Sequence, residues 1–253
     1  MTYILEGLKV VDAATCLAAP AAATLLSDFG ADVIKIESPQ GDGSRLWQGK
    51  SGANCSWLLS SRNKRGICVD LEKPAGRELL KQLLTSADIF LTNFLEHEIR
   101  RFEIEYEVLR QNNPRLIYAH VSDYGDRGPD RNRRDSGIAS WWARTGILDA
   151  LSPLNEQAIN STLGIGDHVA ALALLSSVMM ALYQREKTGK GRFVSTSLVA
   201  SGCYANGLAL QGAISNKGKR FQEGIERSRP CTRCYRTRDD NSVILVVVSL
   251  VQE

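Results

Sequence analysis

An aspartate flanked by glycine is the residue of this chain best suited to covalent chemistry. Asp167 lies just before an almost wholly apolar segment, Ala170 to Leu182, whose length and lack of breakers predict a buried helix. An aspartate at a helix start commonly caps it, because its oxygen accepts a hydrogen bond from an orphan backbone N–H. A carboxylate beside a helix N-terminus is also kept ionised by the helix dipole, and an ionised carboxylate can act as a nucleophile. The residue judged alone leaves both interpretations open.

The elements that must position this aspartate alternate between strand and helix. Hydrophobic runs and breakers predict strands at 8–13, 33–36, 66–69, 89–92, 116–121 and 192–197, and helices at 21–29, 73–86, 106–111 and 198–211. This alternation predicts a doubly wound, Rossmann-like α/β domain with a mostly parallel sheet. The first βα turn, Thr15 to Pro20, lacks the G-x-G-x-x-G pattern, which disfavours a nicotinamide or flavin cofactor.

The composition changes sharply towards the C-terminus. Residues 215–238 are rich in lysine and arginine and predict a solvated linker, while 242–248 are strongly β-prone with no further strand after them. We therefore expect an α/β large domain over 1–214, a basic linker over 215–238, and the first strand of an incomplete small domain over 239–253. Cys231 and Cys234 have C-x-x-C spacing, but no second ligand pair lies nearby, so a metal is not expected.

The bulk composition is that of an ordinary soluble globular protein. The 253 residues are 43% hydrophobic and 23% charged, with a net charge of +3, which does not favour a dedicated nucleic-acid binder. The six cysteines are too scattered for a disulfide framework. No signal peptide is visible, and the longest apolar run is too short to span a bilayer. We expect a cytoplasmic protein that binds neither membrane nor nucleic acid.

Short motifs follow one another in a fixed order from Leu5 to Gly191. They are Leu5 to Asp12, Leu26 to Glu37, Asn63 to Gly66, Asp88 to Phe94, Asn113 to Tyr118, Tyr124-Gly125 with Gly128-Pro129, Gly166-Asp167, and Glu186 to Gly191. Their order and spacing resemble the class III CoA-transferases, the CaiB/BaiF family that includes formyl-CoA and carnitine CoA-transferases. The resemblance covers most of the chain.

This resemblance implies a covalent role for Asp167. In the family, the matching aspartate attacks an acyl-CoA thioester to form a mixed anhydride, the CoA thiolate then forms an aspartyl–CoA thioester, and an acceptor carboxylate reverses the cycle. The resemblance therefore favours the nucleophile over the simple cap. It also implies acyl-CoA and carboxylic acid substrates, no permanently bound cofactor, and an interlocked homodimer or heteromer.

The resemblance further implies a binding site for CoA, whose phosphates suit arginine because the guanidinium donates two parallel hydrogen bonds. For each basic residue, a solvated surface side chain is the alternative. The positions that match the family's CoA site are Ala18, Asn63, Lys64, Arg65, Arg101 and Arg134.

Several departures from the family pattern matter. Where the racemases of this fold carry Gly-His-Asp, this chain has Ser136-Gly137-Ile138, which supplies no base and disfavours racemisation. His168 remains a candidate proton carrier, and Leu95-Glu96-His97 replaces the usual Arg-Pro-Gly.

Family members continue beyond residue 253 into a small domain with a glycine-rich loop, so an inactive, truncated or structural subunit is the alternative. Trp141 and Trp142 suit an aryl-binding pocket or the core equally well.

Overall fold

The structure of the protein, a computed structural model, describes residues 3–47, 54–152, 161–215 and 232–246. The chain forms two units, Met1–Ala205 and Asn206–Glu253. The first unit contains the sheet and Asp167, and the second contains a helix and a two-stranded sheet.

A six-stranded parallel sheet organises the first unit. Its order is β3-β2-β1-β4-β5-β6, and every neighbouring pair is parallel, which confirms the predicted doubly wound fold. The strands are β1 (Lys9–Asp12), β2 (Asp32–Glu37), β3 (Arg65–Cys68), β4 (Ile89–Thr92), β5 (Ile117–Ser122) and β6 (Phe193–Ser197). The strand order reverses between β1 and β4, and a switch of this kind opens a crevice at the carboxyl ends of the strands.

Helices cover both faces of this sheet. They are α1 (Ala18–Asp28), α2 (Cys55–Ser61), α3 (Pro74–Thr85), α4 (Glu96–Phe102), α5 (Tyr106–Asn112), α6 (Ile147–Leu151), α7 (Ile165–Thr188) and α8 (Leu198–Ala205), with a 3₁₀ turn at Gly43–Leu46 and a π-helical turn at Ile138–Ala143. Helix α1 begins three residues before its predicted start. The helix predicted over 198–211 is wrong as a single element, because it breaks at Asn206, where Asn and the following Gly207 have low helix propensity.

Alternate residues of the central strands β1 and β4 enter different cores, as the twofold period of a strand requires. Val10 and Ile89 pack with α1 and α7 on one face, whereas Val11 and Phe90 pack with α3 and α5 on the other. All four residues of β4 are buried, which is typical of a parallel strand covered on both sides.

Helix α7 carries Asp167 and differs from the predicted buried helix. It is longer, and only one side of it is buried against the core, including Ala170, Leu174 and Val178. Its other side exposes Leu172, Met179, Met180 and Tyr183. By length and composition α7 could cross a membrane, yet core helices of soluble proteins meet the same test.

The described part of the second unit contains helix α9 (Gly207–Ser215) and an antiparallel pair of strands, β7 (Thr232–Arg236) and β8 (Ser242–Val246). The strand predicted over 242–248 is confirmed as far as Val246. Residues 232–236 form β7 and so depart from the predicted linker, because they pair with β8. Residues 216–231 of that linker, including Cys231, lie outside the described residues.

Candidate active site

A cavity of about 360 Å³ lies at the carboxyl edge of the sheet, within the first unit. Its walls come from the segments that follow the strands: Thr15 to Ala18 after β1, Asn93 after β4, Ser122 and Asp123 at the end of β5, and Leu198 after β6. The segment Arg134 to Gly137 and Asp167 form a polar side, and Leu163 adds to the apolar wall. Ligands of doubly wound proteins bind at this edge.

Asp167 is the third residue of α7 and not its cap. Gly164 occupies the N-cap with φ +85°, so the interpretation of Asp167 as the N-cap residue is wrong. Burial raises the pKa of the Asp167 carboxyl, whereas His168 and the residue's own backbone N–H lower it. The net direction is upward, because removal from water outweighs the helix start that was expected to keep the group ionised. Carboxyls perturbed in this way are common at catalytic sites.

Two glycines allow close packing around Asp167. A methyl group added at Gly137 would lie 3.2 Å from Asp167 Oδ2, so the segment after Ser136 lies directly against the Asp167 carboxyl group. A methyl added at Gly166 would lie 2.4 Å from Cγ of Trp141, which means that α7 can pack this closely only with glycine there.

The two tryptophans that sequence left ambiguous belong to the core. Trp141 and Trp142 are buried, pack edge-to-face at 4.9 Å between ring centroids, and do not line the cavity. Trp47 is the tryptophan that does line it, and no sequence pattern singled it out. His168 does not line the cavity either, and its Nε2 is buried without a hydrogen-bond partner among the described residues.

The segment after β1 is fixed from two sides. The side chain of Asn93 accepts the Thr15 N–H at 2.9 Å and donates to the Thr15 carbonyl at 3.0 Å. The Cys16 N–H donates to Asp42 Oδ1 at 3.2 Å, which holds Cys16 in the left-handed conformation at φ +67°. Ala18, a predicted CoA contact, lines the cavity as the first residue of α1.

A buried ionic network supports this segment from below. Lys35 Nζ lies 3.2 Å from Asp42 Oδ2 and 3.9 Å from Asp12 Oδ1. Lys64 Nζ donates to Asp12 Oδ2 at 2.8 Å and to two backbone carbonyls at 2.7 Å. Burial lowers the pKa of Lys64, and Asp12 offsets part of that shift. The three protons of Lys64 are thus used within the protein, so the expected direct contact with a CoA phosphate does not fit this arrangement.

Arg134 is the predicted cation that lines the Asp167 cavity. It donates to Glu98 Oε2 at 2.7 Å, and the same carboxylate accepts the Leu95 N–H at 2.7 Å. The departure at Leu95-Glu96-His97 therefore builds the start of α4 and, through Glu98, holds Arg134.

The other predicted CoA residues do not line that cavity. Arg65 is exposed and pairs with Asp32, and Asn63 donates to Asp28 at 2.8 Å. Arg101 pairs with Glu72 at 2.7 Å beside a second cavity of about 160 Å³. This second cavity shares Thr15 with the first, so the two adjoin along the sheet edge.

Asp123 is a cavity residue that sequence reasoning missed. Burial raises the pKa of its carboxyl; the Asp135 N–H and Arg134 oppose that shift, and the carboxyls of Asp135 and Asp167 add to it. A polar side chain directly after a buried strand was the available signal. Within residues 3–47, 54–152, 161–215 and 232–246, no group of three His, Cys, Asp or Glu side chains could hold a metal ion.

The protein has a doubly wound sheet and, at the carboxyl edge of that sheet, an aspartate whose pKa is raised. These features are those of an α/β protein with an enzyme-like cavity. The sequence model of CoA-transferase family III matches residues 5–251, and the chain belongs to this family.

Two relatives and one solved structure illustrate the similarity. The chain is 35% identical to the (R)-2-hydroxy-4-methylpentanoate CoA-transferase of Clostridioides difficile, over 97% of this chain and 63% of that protein. It is 33% identical to the cinnamoyl-CoA:phenyllactate CoA-transferase of Clostridium sporogenes, over 94% and 60%. A CaiB/BaiF family protein from Brucella suis superimposes with a TM-score of 0.88 at 27% identity, over 97% and 66%. The chain thus spans less than two thirds of the length of both curated relatives.

Proposed function

We propose that the protein transfers CoA from an acyl-CoA thioester to a carboxylic acid through covalent intermediates on Asp167. The observation that carries this proposal is a largely buried carboxylate with a raised pKa, facing a cavity at the carboxyl edge of the sheet. The names of both relatives, which describe CoA-transferases, support it.

The proposed reaction divides one difficult exchange into easier displacements. The Asp167 carboxylate attacks the thioester carbon, the C–S bond breaks, and CoA leaves as a thiolate from a mixed anhydride. The thiolate attacks the Asp167 carbonyl of that anhydride, which releases the donor acid and leaves an aspartyl–CoA thioester. An acceptor carboxylate attacks this thioester and expels the thiolate, which then attacks the acceptor's acyl carbon and frees Asp167.

Each displacement passes through a tetrahedral oxyanion that needs hydrogen-bond donors. The start of α1 borders the same cavity at Leu17 and Ala18, and the first N–H groups of a helix have no partner within it. We assign the stabilisation of the oxyanion to this helix start, which Asn93 and Asp42 hold in place.

CoA is long enough to occupy both cavities. We propose that its thioester end lies beside Asp167, with Ala18 and Arg134 along it, and that its nucleotide end extends past Thr15 towards Arg101. Asn63 and Arg65 lie on the outer edge of the sheet, where their polar groups could contact only the far end of the ligand. Lys64 serves the site indirectly, by holding Asp12 beneath the segment after β1.

The cavity and the names of the relatives support one class of acceptor. Both relatives are named for a 2-hydroxy acid with an apolar side chain, 2-hydroxy-4-methylpentanoate and phenyllactate. The apolar part of the cavity wall, which includes Leu17, Trp47, Leu163 and Leu198, suits such a side chain. We propose a 2-hydroxy acid of this kind as acceptor.

Assembly with a second chain and a cytoplasmic location belong to the same proposal. The exposed apolar residues of α7, Leu172, Met180 and Tyr183, support a protein contact on that side. A second copy of this chain or a related chain, as in an interlocked dimer, would cover them.

Chemical trapping tests the covalent step. Incubation of the protein with an acyl-CoA and hydroxylamine should convert Asp167 to its hydroxamate, because hydroxylamine attacks the aspartyl carbonyl of both the mixed anhydride and the aspartyl–CoA thioester. Peptide mass spectrometry locates the product. Asp167→Asn should give no adduct and no exchange of CoA between acids. Asp130→Asn, which removes a half-buried carboxylate paired with Arg144 outside the cavity lining, is the control and should behave as the wild type. Exchange that persists in Asp167→Asn would refute the mechanism.

A further inference from the structure

Asp123 presents a second carboxyl group to the cavity that contains Asp167. Its Oδ2 accepts the Asp135 N–H at 2.8 Å, and its backbone carbonyl accepts the Val199 N–H at 3.0 Å. Within the described part of the chain, no group forms a hydrogen bond with Oδ1. The side chain is therefore fixed through one oxygen, while the other is available to a molecule that enters the cavity.

The charged groups of this cavity are mostly acidic. Its described lining contains the carboxyls of Asp123, Asp135 and Asp167 and one cation, Arg134. That cation is already paired with Glu98, at 2.7 Å. The cavity can accept an acid whose single carboxylate reacts at Asp167. A second carboxylate on the same molecule would be repelled by the carboxylates of the cavity, and no unpaired cation of the described lining would neutralise it.

A neutral hydroxyl group has the opposite preference. It donates a hydrogen bond to a carboxylate oxygen, and such charge-assisted bonds are the stronger kind. The hydroxyl of a 2-hydroxy acid lies on the carbon next to the reacting carboxylate. When that carboxylate is beside Asp167, the hydroxyl lies within the same cavity as Asp123.

We propose that Asp123 is a specificity-determining residue, which accepts a hydrogen bond from the 2-hydroxyl of the acceptor acid and excludes dicarboxylic acids. This inference rests on the proposed CoA-transfer function. Asp123 takes no part in bond making, so its effect falls on the choice among acids and not on the covalent chemistry of Asp167.

Competition between three acids, with one acyl-CoA donor, tests this role. The acceptors are 2-hydroxy-4-methylpentanoate, its analogue 4-methylpentanoate, which lacks the hydroxyl, and the dicarboxylate glutarate. The wild type should favour the hydroxy acid over the analogue by about tenfold to a hundredfold in kcat/KM, the range for a hydrogen bond to a charged group. Asp123→Ala should bring this ratio close to one.

Asp123→Asn separates charge from hydrogen bonding. Its amide oxygen still accepts the Asp135 N–H and its amide nitrogen still binds a hydroxyl, but the negative charge is gone. We expect part of the preference for the hydroxy acid over 4-methylpentanoate to remain. The kcat/KM for glutarate, relative to that for 4-methylpentanoate, should rise by about tenfold. Glu107→Gln removes an exposed carboxylate that pairs with Arg110 on α5, and it should leave both ratios at their wild-type values.

Ratios taken within one variant cancel a general loss of active protein. If Asp123→Ala does not fold, the glutarate ratio of Asp123→Asn decides the proposal. Unchanged ratios in an active Asp123 variant would overturn the role of Asp123 and leave CoA transfer standing. A wild type that exchanges CoA with none of the three acids would overturn both proposals.

Discussion

The carboxyl group of Asp167, the proposed nucleophile, lies where its ionised form is costly. Burial raises its pKa above that of an exposed aspartate, so the folded protein binds a proton there more tightly than the unfolded chain does. Stability therefore falls as the pH rises through the unfolded value of about 3.9 and on through the folded value, since the buried group must then ionise. The proposed nucleophile is a site where function opposes stability.

Asp167→Asn is expected to stabilise the fold while it abolishes exchange. The amide keeps the shape of the side chain but never carries the buried charge, so its Tm should exceed that of the wild type at pH 7. Activity should fall by about a thousandfold or more, as expected for loss of a nucleophile. The gain in Tm should disappear below pH of about 3, where the wild-type carboxyl is protonated in both states.

Calorimetry across this pH range gives the measurement, and Asp130→Asn again serves as the control, with a Tm close to that of the wild type. A lower Tm for Asp167→Asn at pH 7 would show that the carboxylate makes a stabilising contact instead.

At the scale of elements, the segment between β1 and α1 depends on a buried carboxylate from a later loop. Asp42 accepts hydrogen bonds from Ser44 and Cys16 and lies 3.2 Å from Lys35 Nζ. Burial raises the pKa of Asp42, but Lys35 and these hydrogen bonds outweigh that cost and leave it below the usual value. The resulting stabilisation is present above the unfolded pKa and is lost as the pH falls through the folded one.

Asp42→Ala should destabilise the protein by about 3–5 kcal/mol, because it leaves Lys35 buried with Asp12 as its remaining charged partner at 3.9 Å. It should also lower kcat/KM by on the order of tenfold to a hundredfold, since the cavity wall at Cys16 loses its support. Asp42→Asn keeps the acceptor for the Cys16 N–H and should retain more activity than Asp42→Ala.

Urea unfolding and steady-state kinetics test both effects. Asp32→Ala, which breaks the exposed pair with Arg65, should cost no more than about 1 kcal/mol and is the matched control. Equal activity in Asp42→Ala and Asp42→Asn would show that the Cys16 contact does not position the site.

The elements themselves were largely readable from the sequence, and the site only in part. Hydrophobic runs such as 89–92 gave the strands, because burial of a parallel strand on both faces leaves a continuous apolar run. The ion pair of Lys64 could not be predicted from local sequence, since its partner Asp12 is 52 residues away in sequence. The same applies to Trp141, whose burial depends on Gly166 of another helix. Contacts between distant segments decided these cases, and local patterns do not encode them.

For the whole molecule, the exposed apolar residues of α7 support the proposed assembly with a second chain. Leu172, Met180 and Tyr183 are 56%, 66% and 66% exposed, and their spacing places them along one side of the helix. Contiguous apolar surface of this kind usually marks a protein contact. The helix that carries the proposed nucleophile at its start would then also form the contact between two chains, which would couple assembly to the geometry of the site.

The double variant Leu172→Glu with Met180→Glu is expected to weaken self-association by about tenfold or more, because it would place two charges in the apolar centre of the contact. Sedimentation equilibrium over a range of protein concentrations measures the change. Val108→Glu introduces a charge at an exposed valine of α5 and should leave association unchanged. If the wild type is monomeric over that range and remains active, α7 does not join two copies and the proposed contact is refuted.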